Sequence, residues 1–151
     1  MNLFSKFLWI CVLCLMLTAV SAVAGESTRH AGMVKTVVGE ARLQHQGTWT
    51  SPQPGMLLME ADRLETGRNG HVGFILTDGT VITLGPKSEF RIDAYAFEPE
   101  ANSFDFSFYM EKGTAIYNTG KIGRLSPESV NIQTPRATVG IRGTRFIVEV
   151  K

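Results

Sequence analysis

From Ser103 to Met110 the chain alternates without a break. Phe104, Phe106, Phe108 and Met110 fall on one parity, and Ser103, Asp105, Ser107 and Tyr109 on the other. Only an extended strand, whose side chains point to opposite faces in turn, sorts such a segment into one aromatic face and one wet face. A strand of this kind is not stable alone, so the rest of the chain has to supply the β surface that covers it. The Phe stripe therefore reads as core rather than as a sugar or lipid platform.

The neighbouring segments carry the same period. Val34, Thr36 and Val38 alternate up to Gly39, and Ala41, Leu43 and His45 continue to Gly47. Val72 to Leu76 and Val81 to Leu84 are apolar runs around Asp78-Gly79, the strongest hairpin signal in the chain. Phe90, Ile92 and Ala94 alternate with Arg91, Asp93 and Tyr95, and 96–102 reads as a polar loop. Thr114 to Tyr117 reads as a separate short strand after Lys112-Gly113, and 119–127 as a loop. Turn signals recur roughly every 8–12 residues, the spacing of a sandwich, a barrel or a similar all-β domain. The predicted fold is all-β, a single domain of short, twisted, mostly antiparallel strands. It is either sandwich-like or solenoid-like, and turn spacing does not choose between them.

The apolar parity shifts twice near the end. Val130, Ile132 and Thr134 share one phase, Ala137, Val139 and Ile141 the other, and Phe146, Val148 and Val150 return to the first. Each shift implies a one-residue slip of the backbone against a fixed core. Pro135 and Gly143 stand where such slips are permitted. The stretch reads as two strands joined through a corner, and a bulky residue at Gly143 is expected to unfold the domain.

Residues 1–24 read as a signal peptide. Lys6 precedes an apolar run from Phe7 to Val20, and Ala22-Val23-Ala24 is a small-x-small site, so cleavage is expected after Ala24. The run is shorter than the about 20 residues of a membrane span, and no stable span is expected after cleavage. Cys11 and Cys14 follow Ile10 and Leu13, not the small residue of a lipoprotein site, and both leave with the leader. What remains must hold together through its core in an oxidising compartment, without disulfides. The 15 Lys and Arg nearly balance the 14 Asp and Glu, and no run of like charge occurs. That argues against a nucleic-acid module and gives no support to polybasic membrane binding.

Four elements, in order, carry a resemblance. They are Gly39 at the first turn, Asp62-Arg63-Leu64-Glu65-Thr66-Gly67, the hairpin Leu76 to Leu84 with Asp78-Gly79-Thr80, and Thr134-Pro135-Arg136-Ala137 running to Ile141-Arg142-Gly143-Thr144-Arg145-Phe146. Together they resemble the FecR domain, the periplasmic domain of iron-dicitrate sensor and anti-sigma regulators. The family pattern has Gly before the Asp of the first motif, where this chain has Ala61. The resemblance covers a domain over 32–151 and implies a β-rich periplasmic or secreted module that binds protein. The cytosolic anti-sigma segment, membrane helix and receptor-binding domain of the regulators are not read here, so the sigma-factor role is not expected to carry over.

The motif residues Asp62, Thr66, Gly67, Asp78, Gly79, Thr134, Pro135, Arg142, Gly143, Thr144 and Phe146 are read as structural. Arg142 is expected to tie down loop carbonyls rather than hold an anion, and Thr134 and Thr144 to satisfy backbone groups beside it. Asp78-Gly79 is accounted for by turn chemistry alone. Glu60 and Glu65 fit solvent-facing positions, and no calcium-loop spacing surrounds Asp62. His30, His45 and His71 have no partner at short spacing, so zinc is not expected. No nucleophile elbow or phosphate loop occurs. No cofactor and no catalysis are expected. The expected function is an exported, non-catalytic interaction or envelope signalling and assembly module, with unknown envelope proteins as partners. The alternative is a carbohydrate or small-ligand binder using exposed aromatics, for which Trp49 and Tyr109 are the candidates.

Overall fold

The computed structural model describes residues 29–141 and 144–151. The expected leader with its Ala24 site, and Arg142 and Gly143, lie outside the described residues. The all-β expectation holds. The strands are β1 (Gly32–Val38), β2 (Ala41–His45), β3 (Thr48–Thr50), β4 (Leu57–Leu58), β5 (Arg63–Thr66), β6 (His71–Leu76), β7 (Val81–Leu84), β8 (Glu89–Glu98), β9 (Ser103–Asn118), β10 (Val130–Gln133), β11 (Thr138–Gly140) and β12 (Arg145–Val150).

They form one continuous sheet that curls over on itself. One half runs β3-β2-β5-β8-β9-β10-β11, and the other β4-β1-β6-β7-β9-β12. Every ladder is antiparallel except β10 against β9. Stacked solenoid coils would pair in parallel, so the curled, sandwich-like arrangement is the one present. The two inner faces meet in the core, where Phe74 of one half packs on Phe90 of the other at 5.5 Å. Phe106 and Phe108 of the alternating strand are buried there with Met110, as their parity requires.

β9 joins the halves. Its inward set is Phe106, Phe108 and Met110, then Ala115 and Tyr117, so its phase slips once. The slip falls at Gly113, whose φ is +95°. The expected two strands, 103–110 and 114–117, are therefore one strand with a glycine hinge. The expected 96–102 loop is shortened to 99–102, because β8 and β9 keep pairing as far as Glu98 and Ser103. A short helix, Ile122–Leu125, occupies the expected 119–127 loop and buries Ile122.

Two further differences have local causes. β8 does not keep its phase: its register against β9 shifts between Ile92 and Ala94, and the bulge turns Tyr95 into the core. The closing stretch is not two strands and a corner. β10 and β11 form a hairpin around 134–137, in which Thr134 N–H donates to the Ala137 carbonyl at 2.8 Å. The Thr134 hydroxyl accepts from Ala137 N–H at 3.0 Å, so the parity change at Pro135 is an ordinary turn.

Candidate functional site

The hairpin turn between β6 and β7 holds a buried carboxylate that accepts four hydrogen bonds. Asp78 is 1% exposed. Its Oδ1 accepts from Thr80 N–H at 3.0 Å and from the Tyr95 hydroxyl at 3.1 Å. Its Oδ2 accepts from the Thr80 hydroxyl at 2.8 Å and from Ile122 N–H at 3.1 Å. The Thr80 hydroxyl in turn accepts from Gly120 N–H, and the Asp78 carbonyl accepts from Lys121 N–H. The local part of this set is the turn chemistry expected of Asp-Gly. The rest is not, because the carboxylate also ties the turn to β8 and to the short helix. Sequence reasoning missed those partners because Tyr95 is turned inward only by the bulge.

Tyr95 closes the network, since its oxygen also accepts from Asp78 N–H and the Thr77 hydroxyl. Burial pushes its hydroxyl well above the ordinary phenol range, and burial does the same for Tyr117. Both tyrosines are thus held neutral in the folded state, while the unfolded chain ionises near pH 10. Stability from this source is complete below that pH and is lost as pH rises past it. In an alkaline titration followed at 295 nm, Tyr109 should ionise in the folded protein, and Tyr95 and Tyr117 only together with unfolding. Smooth, independent ionisation of all three would contradict the buried placement.

Asp62 is buried as well. Its Oδ2 accepts from Met59 N–H at 2.8 Å, and its Oδ1 lies 2.6 Å from Nδ1 of His45. His45 is therefore paired across the fold, which its isolation in sequence did not reveal. The preceding Ala61 has φ +66°, a backbone region costly for any side chain, and it stands where the family pattern has Gly. Ala61→Gly should stabilise the domain by about 0.5–1 kcal/mol, because relief of strain exceeds the added freedom of the unfolded chain. An unchanged or lowered midpoint in urea would contradict this.

Thr66 lies at the seam of the halves. Its hydroxyl donates to the Gly85 carbonyl at 2.7 Å and accepts from Ser88 N–H at 2.8 Å. Thr144 presents its carbonyl to Thr119 N–H at 2.8 Å, and Phe146 stacks on Tyr117 at 4.7 Å.

The two outer faces differ in chemistry. The first half carries a cross-strand charge row, Arg42–Glu65–Glu89–Lys112. Arg42 pairs with Glu65, and Arg63 and Lys112 both pair with Glu89 at 2.6 Å. The Lys112 hydrogen bond is the main reason the Glu89 carboxyl sits below its usual range, and Arg63 helps. Glu65 is thus engaged rather than simply solvated. Trp49 and Tyr109 lie on the same face, and each has an arginine over its ring, Arg42 at 4.6 Å and Arg91 at 4.9 Å. An open depression of about 640 Å³ is lined by Val37, Glu40, Arg42, Pro52, Glu65 and Thr66, among others.

The outer face of the second half is mainly apolar, with Asn118, Arg145 and Glu149 toward its β12 end. Leu57, Met33, Ile75 and Val81 form one cross-strand row, and Ile116 and Ile147 lie in the next. Leu57 is 48% exposed and Ile147 62%. No group of three or more metal-ligating side chains occurs among the described residues. No helix among them is long and apolar enough to cross a membrane.

A family model described as FecR protein matches residues 62–151. No curated protein and no solved structure matches the chain. The match begins at Asp62, yet β1 pairs with β6 and β2 with β5, so the strands before it belong to the same sheet.

Proposed function

This chain belongs to the FecR protein family, and on that premise we propose that it acts as an exported, non-catalytic module that binds envelope proteins. The family is a regulatory and signalling one. In this reading residues 1–24 are removed after Ala24, and 32–151 form the working domain in the periplasm or outside the cell. The motif residues Asp62, Thr66, Asp78, Thr134 and Thr144 serve the backbone rather than a ligand.

The observation that carries the reading is the contrast between the outer faces. On the charged face the side chains are engaged with one another. On the other face Leu57 stands in water beside half-buried Met33, Ile75 and Val81, and Ile147 stands in water beside half-buried Ile116. An exposed apolar patch of this kind marks a protein contact.

A photo-crosslinking residue at position 33 or 75 should give discrete envelope adducts, while one at position 63 on the charged face should not. The reading fails if neither face gives adducts, or if both give the same ones. Sequencing of the exported protein should begin at Gly25.

The second reading is a carbohydrate or small-ligand binder. Its support is Trp49, 38% exposed, whose ring is covered by Arg42, a residue that also lines the depression. The other tryptophan, Trp9, leaves with the leader, so the fluorescence of the processed protein reports Trp49 alone. A saturable change on adding oligosaccharides would favour this reading, and no change would remove it.

A further inference from the structure

Four strands end the sheet among the described residues: β3, β4, β11 and β12. The first three are two or three residues long. β12 has six residues and pairs without a register shift, from Arg145 against Asn118 to Val150 against Gly113. Its only strand partner among the described residues is β9, so its far side offers a row of unpaired N–H and C=O groups. Such edges are usually blunted by shortness, a bulge, a proline or charged side chains. β12 has no bulge, proline or inward charge, and its two outward charges, Arg145 and Glu149, are opposite in sign.

Its side chains are ordered in a particular way. Phe146, Val148 and Val150 face inward, and Arg145, Ile147 and Glu149 outward. Ile147, at 62%, is the most exposed large apolar residue described. Arg145 and Glu149 stand two residues either side of it, with opposite charge. Laid antiparallel on itself and centred on Ile147, the strand places Arg145 of each copy opposite Glu149 of the other. Ile147 then meets Ile147, and Phe146 meets Val148. A local twofold axis is allowed at either kind of pair in an antiparallel ladder. A two-residue slip would set a charge against Ile147, and a one-residue slip would invert the faces.

We infer that two copies of this chain join edge to edge along β12, antiparallel about Ile147, making one sheet across a twofold axis. The occupant is a second copy because the strand's charge pattern is complementary to itself, as an isologous contact requires. Paired outward side chains would lie about 4.5–5.5 Å apart at Cβ, close enough for Arg145 and Glu149 to pair. The joined sheets would run the Ile116–Ile147 row through the axis into its symmetry mate.

The test is sedimentation of the processed protein over a concentration series. The wild type should show a reversible monomer–dimer equilibrium. Arg145→Glu places Glu against Glu at both symmetric positions, and Glu149→Arg places Arg against Arg. Each should raise the dimer dissociation constant by roughly tenfold or more. Mixing the two variants should recover a heterodimer, and R145E/E149R in one chain should recover the homodimer. Both positions are exposed, and equal melting curves would show that the fold is kept. A wild type that stays monomeric throughout overturns the inference, as do charge variants that dimerise normally or a mixture that does not recover. None of those results bears on crosslinking at positions 33 and 75, so the envelope-binding reading stands or falls separately.

Discussion

Asp78→Ala should cost the domain about 3–5 kcal/mol. The carboxylate is buried, and it accepts from Thr80 twice, from Tyr95 and from Ile122. Hydrogen bonds to a charged group contribute about 1.5–3 kcal/mol each, and each buried donor left without a partner costs about 1–3. These terms are not additive, but the sum is a large share of the roughly 5–15 kcal/mol that holds an ordinary domain together. The melting midpoint should fall on the order of 15 °C. Tyr95→Phe removes only one member of the network and should cost about 1–2 kcal/mol. Urea unfolding of the three proteins gives the order directly. If Asp78→Ala lost less than about 1 kcal/mol, as expected for a simple turn residue, the long-range ties would not be contributing.

Gly113→Ala should cost about as much, for a different reason. Residue 113 sits at φ +95°, which costs a non-glycine residue about 1–2 kcal/mol. A Cβ there would also approach Ser88, with its Cβ 2.7 Å away and its Cα nearer still. Ser88 cannot step back. Its N–H donates to Thr66, its hydroxyl donates to the Gly85 carbonyl, and it accepts from Thr114 N–H. Overpacking of this kind adds about 1–3 kcal/mol or more. Gly79→Ala separates the two causes. Gly79 has a similar φ of +87° but nothing within 4 Å of an added Cβ. It should therefore lose only the backbone term, about 1–2 kcal/mol. Equal losses at the two positions would mean that β9 does not cross from one half to the other under contact with Ser88.

The comparison of reading and structure turns on particular residues. The Phe106/Phe108 face, the hairpin at Asp78-Gly79 and the inward phase of Val130, Ile132 and Val148 were legible because period two and turn chemistry are local properties. Tyr95 was assigned to the wrong face because nothing at positions 90–95 announces a bulge. Its register is set by pairing with β9, and β9 comes later in the chain. Gly113 was taken for a strand end because a glycine that ends a strand and one that bends it look alike in sequence. The His45–Asp62 pair had no local signal either, since it spans 17 residues and depends on β2 lying beside β5.

Alone, the sequence determined the all-β class, the compact hairpins and the family, all of which follow from short-range periodicity and ordered motifs. Only the tertiary structure decided that one long strand, bent at Gly113, serves both halves of the sheet. It also decided that Asp78 ties together three separate segments, and that the outer faces differ, one charged and one mainly apolar. The physical reason is the same in each case. Period two says that a side chain faces one side or the other, but which side is covered, and by what, depends on strands far away in the chain.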